Sequence, residues 1–274
     1  MSHEKAQKED KCMSGEQEEL MLDVSQVVPE AQSIVRAATN VYLHHLGQWR
    51  MGVIVHGSAL KGGYISGCSD VDLQIYLDSA AFTSQELLPL EVCLALHRDL
   101  ALIDPSPFQY IQGYALQPKP RKGYVGPIPG AYQVVTGVLP IPEATEEELQ
   151  NSARSALERL SPPMAYLPGG LLQSGGGKLA RQVRFLCTDV WPMLYHVLTI
   201  QQENGLEMWK LPKQKAMELL PEGSSTAQNL FAFYQTLCRY YPAQASVEEA
   251  LKSIEYGVAF LQSVKLWWEN RPAL

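Results

Sequence analysis

Two short stretches decide the fold of this chain: VIVHGS at residues 53–58 and, after eleven further residues, DVDL at residues 70–73. The apolar run that ends in Gly-Ser predicts a strand closing in a turn. The alternation of apolar residues from position 71 to 77 predicts a second strand with one buried face. Because residues i and i+2 of a strand project from the same face, Asp70 and Asp72 should lie a few ångströms apart.

This pair of acids predicts a cation site. Two carboxylates held close together repel each other unless a cation neutralises them. Magnesium prefers oxygen ligands and is commonly held by one or two carboxylates together with substrate phosphates. Gly57 allows the backbone to approach a phosphate, and the Ser58 hydroxyl and nearby N–H groups can bind phosphate oxygens. Asp70 and Asp72 are therefore candidate ligands of Mg²⁺ or Mn²⁺, beside a nucleoside triphosphate.

The two stretches resemble the signature of the DNA polymerase beta nucleotidyltransferase superfamily, in which Gly-Ser stands shortly before Asp-x-Asp. Within that superfamily, GSALKGG at residues 57–63 and SDVDL at residues 69–73 are most similar to small adenylyltransferases, such as aminoglycoside-modifying enzymes and minimal nucleotidyltransferases. The resemblance covers residues 50–77. It implies transfer of AMP from ATP to a hydroxyl of a small molecule or protein, with two magnesium ions at the carboxylate pair.

The resemblance also indicates further nucleotide contacts, from Lys61 in the loop after the turn and from Ser69 just before the first acid. A glycine-rich entry to a predicted helix, SGGGK, ends at Lys178, and Arg181 and Arg184 follow at intervals of three. Glycine-rich helix N-termini can bind anions. Lys178 and Arg181 are therefore candidates to reach the triphosphate across a cleft. The alternative is a solvated basic face on a flexible hinge.

A third acid is expected on a later strand, where family members use it to complete the metal site and help activate the attacking hydroxyl. The predicted strand at residues 108–116 offers Gln109 and Gln112 instead, and an amide cannot accept that proton. Asp104, just before this strand, is the remaining catalytic candidate. The alternative function is therefore a catalytically impaired nucleotide-binding module that regulates or binds a partner through its helical domain. The acids between Asp78 and Glu143 are Glu86, Glu91, Asp99 and Asp104.

Apolar periodicity indicates strands followed by a block of helices, which is an α+β arrangement. Helices are predicted at about 29–49, 84–102, 143–160, 178–203, 212–220, 224–240 and 246–269, and strands at 51–56, 71–77, 108–116 and 134–139. The predicted domains are a disordered leader at 1–20, a small mixed-sheet nucleotidyltransferase domain at 21–142, a helix and breaker-rich linker at 143–177, and a helical bundle domain at 178–274.

Composition restricts the possible partners and cellular location of the protein. The formal charge of −7 argues against a protein that coats nucleic acid. The five widely spaced cysteines form no CxxC pair, which is typical of reduced thiols in a cytosolic protein. No run of 18 apolar residues is present, and the polar N-terminus lacks the apolar segment of a signal peptide. We therefore expect a cytoplasmic protein that binds no membrane.

Overall fold

The computed structural model describes residues 22–119, 124–161, 167–174, 179–242 and 246–271. The predicted leader at 1–20 and the candidate Lys178 lie outside these ranges. The α+β class predicted from the sequence is confirmed, since a four-stranded mixed sheet precedes a helical part. None of the described helices is both long enough and apolar enough to cross a membrane.

The sheet part contains α1 (Pro29–Leu46), β1 (Arg50–His56), the short α2 (Ser58–Lys61), β2 (Val71–Leu77), α3 (Leu90–Leu100), β3 (Ile111–Leu116) and β4 (Tyr132–Gly137). The helical part contains α4 (Glu146–Glu158), α5 (Leu167–Ser174), α6 (Leu179–Gln201), α7 (Gly205–Lys210), α8 (Lys213–Met217), α9 (Ser225–Tyr240) and α10 (Val247–Glu269).

The strands lie in the order β3-β2-β1-β4. The central strand β1 runs antiparallel to β2 and β4, whereas β2 and β3 are parallel. The register places His56 opposite Asp72 and Asp72 opposite Gln112. Since directly paired residues share a face of the sheet, these three side chains stand side by side across three strands.

Three helices differ from the sequence prediction, and one of them, α7, lies in a stretch for which no helix is predicted. The helix predicted from residue 84 begins only at Leu90, because the residue before Pro89 is excluded from helical backbone angles and Pro89 itself is extended (ψ 140°). The breaker-rich segment predicted as a linker contains α5 despite its two glycines. Leu167, at the start of α5, is buried in the core of the helical part, so packing rather than propensity stabilises this helix.

Buried apolar side chains form two main clusters, one between the sheet and α1 with α3, the other within the helical part. The loop between α2 and β2 joins the second cluster, although it belongs to the sheet part by sequence. Ile65 and Cys68 are both buried there, and the Sγ of Cys68 lies 4.0 Å from the Sγ of Cys187 on α6. The loop that leads into the two carboxylates is thus packed against the helical part.

We expect Ile65→Ala to lower the free energy of unfolding by about 2–4 kcal/mol, because Ile65 is only 4% exposed and its loss leaves a cavity. Leu172→Ala is the control, since this side chain is 88% exposed and its truncation should change stability by less than about 0.5 kcal/mol. Chemical denaturation measures both values. Equal, small losses would show that the loop is not packed as described.

Candidate active site

A cavity of about 320 Å³ lies between the sheet edge at which β2 begins and the helical part. The turn after β1, the first residues of β2, and β3 form one side of it, and α6, α7 and α8 form the other. It is lined by His56, Gly57, Ser58, Lys61, Gly62, Cys68, Ser69, Asp70, Asp72, Gln112, Tyr114, Arg184, Cys187, Thr188, Trp191, Pro192, Tyr195, Trp209 and Lys213.

Six of the residues selected from the sequence line this cavity together: Gly57, Ser58, Lys61, Ser69, Asp70 and Asp72. Two others lie elsewhere. Asp104 is exposed in the loop before β3, and its Oδ1 accepts a hydrogen bond from the Ser106 N–H at 2.9 Å. The guanidinium of Arg181 is exposed and stands 5.0 Å from the ring of Phe185. Neither of them lines the cavity.

The turn after β1 depends on glycine. Gly57 has φ +71°, a region that side chains disfavour, and a Cβ at this position would overlap the Asp72 carboxylate. The Oγ of Ser69 accepts a hydrogen bond from the Ile65 N–H at 2.9 Å, which shapes the loop before the first carboxylate. Backbone and carboxylates therefore approach each other closely at the floor of the cavity.

The two carboxylates have different surroundings. An oxygen of Asp70, Oδ2, lies 2.5 Å from a guanidinium nitrogen of Arg184, which also donates to the Tyr110 hydroxyl at 2.6 Å. No residue in the described ranges donates a hydrogen bond to the Asp72 carboxylate. Burial, followed by the charge of Asp70, raises the pKa of Asp72 to about 7. The charges of Lys213, Arg184 and Lys61 act in the opposite direction on this pKa, but none of them forms an ion pair with Asp72.

Two lysines face the same cavity. The Nζ of Lys61 donates to the Trp209 carbonyl at 2.9 Å and lies 4.2 Å from the centre of the Tyr195 ring. Burial, together with the charge of Lys213, lowers the pKa of Lys61 to about 7. Burial also lowers the pKa of Lys213, whose Nζ stands 5.5 Å from the Trp191 ring. No carboxylate of the described chain forms an ion pair with either lysine, so a bound anion would relieve their desolvation.

The position opposite Asp72 on β3 holds an amide rather than an acid. Gln112 lines the cavity, and its Nε2 donates to the Tyr114 hydroxyl. Gln109 is exposed and outside the cavity lining, with its N–H bonded to the Ser69 carbonyl at 2.8 Å. In the part of the chain that is described, no group of three His, Cys, Asp or Glu side chains is arranged to hold a metal.

Asp70 and Asp72 nevertheless fit magnesium. When burial and a like charge raise the pKa of a carboxylate, a nearby cation stabilises its ionised form strongly. Magnesium can complete its coordination with water and substrate phosphates, so it does not need a third protein carboxylate. The donor set thus suits a metal that arrives with a nucleotide.

Sequence reasoning did not select Lys213, and it noted Arg184 only as part of a basic helix face. Both lie in the helical part, far along the chain from the carboxylates. Helical periodicity indicates which face of α6 is buried, but it does not indicate that this face packs against the edge of a sheet. No local signal distinguishes Lys213 from Lys215, two positions later.

Comparisons with known proteins give limited similarity. No family model matches the sequence, and no curated protein matches it significantly. Among solved structures, the crystal structure of spectinomycin adenyltransferase AAD(9) from Enterococcus faecialis with ATP and spectinomycin aligns with a TM-score of 0.47 and 12% sequence identity. That alignment covers 83% of this chain and 98% of the other. At this level of similarity, functional conclusions have to come from the geometry of the site.

Removing the two charges one at a time should change stability in opposite directions. The folded-state pKa of Asp72, about 7, lies above the unfolded value near 3.8, so this group opposes folding increasingly as pH rises towards 7. Asp72→Asn should therefore raise the melting temperature of the metal-free protein at pH 8 by roughly 2–6 °C, and by less at pH 5. Asp70→Asn should lower it, because Arg184 loses its partner.

Calorimetric melting at the two pH values, without divalent metal, measures both effects. Wild-type protein supplies the baseline at each pH. If Asp72→Asn destabilises the protein at pH 8 as much as Asp70→Asn does, then Asp72 is an ordinary structural carboxylate and the electrostatic description of the site is wrong.

Proposed function

We propose that this protein is a nucleotidyltransferase that moves AMP from ATP to a hydroxyl group of an acceptor, either a small molecule or a protein. The observation that supports this is the meeting of two half-buried carboxylates, at the start of β2, with Arg184, Lys61 and Lys213 around a single cavity. Strongly desolvated acids and bases in one cleft are characteristic of functional sites. Opposite charges arranged in this way suit a metal-bound triphosphate.

The proposed roles divide along the two sides of the cavity. Asp70 and Asp72 hold the magnesium ions, two in the family that the sequence resembles, or manganese in their place. When bound, the metal neutralises phosphate charge and polarises the reacting phosphoryl group. Gly57 and Ser58 bind phosphate oxygens from the sheet side, with Ser69 shaping the loop beside them. Since the Asp70–Arg184 ion pair uses Oδ2 of Asp70, the Oδ1 atom is left for the metal.

The cations of the cavity are placed to receive the triphosphate. Lys213 approaches from α8 and Lys61 from α2, and both line the same space. The buried Nε of Arg184 has no hydrogen-bond partner in the described chain. A phosphate oxygen would satisfy that donor, which otherwise carries a desolvation cost. Lys178, which precedes α6 in the sequence, remains a candidate further contact, whereas Arg181 would reach the triphosphate only if its exposed side chain turned towards the cavity.

The proposed reaction is a single displacement at the α-phosphorus. The acceptor oxygen forms a bond to this phosphorus, the bond to the bridging oxygen of the β-phosphate breaks, and pyrophosphate leaves. The hydroxyl proton passes to solvent water. Lys61 and Lys213 stabilise the negative charge on the departing pyrophosphate, and they act in a desolvated cavity where such electrostatic help is strong.

Gln112 gives weight to the second candidate, a nucleotide-binding module with little or no transfer activity. With this amide opposite Asp72, neither a third metal ligand nor a carboxylate base is supplied by β3. The cations and the acid pair support nucleotide binding. We expect the transfer reaction itself to be slow. A cytoplasmic location and the division into domains at 21–142 and 178–274 belong to the same proposal.

Lys213→Met should weaken the binding of ATP with magnesium by about 10–100-fold, the scale of one lost hydrogen bond to a charged group. Lys215→Met is the matched control on the same helix, since Lys215 is exposed and pairs with Glu218. We expect it to leave the affinity unchanged. Isothermal titration calorimetry measures both. Equal affinities in the two variants would place the triphosphate outside this cavity.

Gln112→Glu should raise the rate of pyrophosphate release from ATP and magnesium by about 10²-fold, because a carboxylate there supplies general-base catalysis. Gln109→Glu adds the same charge outside the cavity and should have no comparable effect. Asp104→Asn should also leave the rate unchanged. A fast wild-type enzyme that loses its activity in Asp104→Asn would contradict this account and identify Asp104 as the missing acid.

A further inference from the structure

A second cavity, of about 240 Å³, adjoins the first. It lies between the ends of β1 and β4, the segment at residues 124–131, and α7. The two cavities share four lining residues: His56, Gly57, Lys61 and Trp209. The second cavity therefore opens on the place where the triphosphate is proposed to react, and a molecule bound in it would stand beside the nucleotide.

The lining of the second cavity is neutral or basic. No Asp or Glu of the described chain lines it. The carboxylate of Glu143 is not part of the lining, and it accepts a hydrogen bond from the Tyr132 hydroxyl at 2.8 Å. Lys61 is the charged side chain that the described lining contains. An ammonium group that entered this cavity would lie beside Lys61 and would find no carboxylate in the described lining to pair with.

The polar groups of the cavity form a fixed, uncharged network. The Oε1 of Gln74 accepts hydrogen bonds from the Tyr76 hydroxyl at 2.7 Å and the Tyr124 hydroxyl at 3.4 Å. The Nε2 of Gln74 lies 3.3 Å from the Nε2 of His56. Amide, phenol and imidazole groups both donate and accept, which matches the hydroxyl groups of a ligand.

Aromatic rings complete the site. Tyr124, Tyr132 and Trp209 line the cavity and offer flat apolar surfaces. Its volume of about 240 Å³ is below the roughly 300–1,000 Å³ typical of pockets for drug-sized ligands. Its volume therefore suits a ligand of about one ring.

We infer that the second cavity is the acceptor subsite and that it takes an uncharged, hydroxyl-bearing single-ring compound of the sugar or cyclitol class, not a polycationic aminoglycoside. The inference rests on the proposed function. In the reaction, one ring hydroxyl forms the new bond to the α-phosphorus of ATP, pyrophosphate leaves, and the hydroxyl proton passes to solvent. The neutral network holds the remaining hydroxyl groups.

A pair of probes that differ only in charge tests this inference. Protein saturated with magnesium and α,β-methylene-ATP, which cannot react at the α-phosphorus, is titrated calorimetrically with methyl β-D-glucopyranoside or with methyl 2-amino-2-deoxy-β-D-glucopyranoside. We expect the neutral sugar to bind at least tenfold more tightly than the ammonium sugar, and spectinomycin to bind no better than the latter. Equal or tighter binding of either cationic compound, or no binding of the neutral sugar at millimolar concentration, would overturn the inference.

Ala131 locates the binding, because it lines the second cavity and not the first. Ala131→Leu should weaken the binding of the neutral sugar at least tenfold and leave the affinity for the nucleotide within twofold of the wild-type value. Ala131→Asp should shift the binding preference towards the ammonium sugar. Unchanged sugar affinity in a folded Ala131→Leu protein would place the subsite elsewhere. The wild-type comparison decides the question even if neither variant folds. Failure of the nucleotide to bind refutes the proposed function; failure of sugar selectivity alone refutes only this inference.

Discussion

The electrostatic conflict between Asp70 and Asp72 is the constraint on which the rest of the site depends. Asp70 immediately precedes β2 and Asp72 lies on it, and both line a space that the helical part covers, where burial strengthens their repulsion. Arg184 offsets one of the two charges through a 2.5 Å ion pair. Asp72 has no such ion pair, and burial together with Asp70 raises its pKa to about 7. A cation that binds here therefore stabilises the folded protein as well as its ligand.

The covering helices bring a conflict of the opposite sign. Lys61 and Lys213 are surrounded by protein atoms and aromatic rings, and desolvation disfavours the charged form of each. The acids and the lysines do not neutralise one another completely. In a purely structural network of ion pairs they would. A metal-bound triphosphate carries both kinds of charge and would satisfy both sides at once. Incompletely neutralised charges of this kind are expected at a site that serves binding rather than stability.

Much of the sheet part followed from local sequence. The bounds of β2 match the alternation seen at residues 71–77, and α1 begins at the predicted Pro29. The Gly-Ser turn and the two acids meet because adjacent strands bring their ends together, which the pattern of two strands already implies. The predicted start of α3 at residue 84 is wrong because Pro89 disfavours helical backbone angles in the residue before it, and this restriction outweighs the apolar stripe.

The helical contribution to the site could not be predicted in the same way. Arg184 reaches Asp70 only because α6 packs against the loop at Ile65 and Cys68, a contact between segments more than 100 residues apart. A sequence pattern indicates that such a face is buried but not what it meets. The basic residue at position 181 and the acid at 104 were reasonable candidates by position in the chain. Their side chains are instead exposed outside the cavity.

The central claim is that the acid pair makes nucleotide binding depend on a divalent metal. Calorimetric titration of the wild-type protein and Asp72→Asn with ATP, each with and without magnesium, tests it most directly. The account predicts one ATP bound per wild-type chain with an affinity that falls at least about tenfold when magnesium is withheld, and no such dependence in Asp72→Asn. Wild-type affinity that is the same with and without the metal would contradict it.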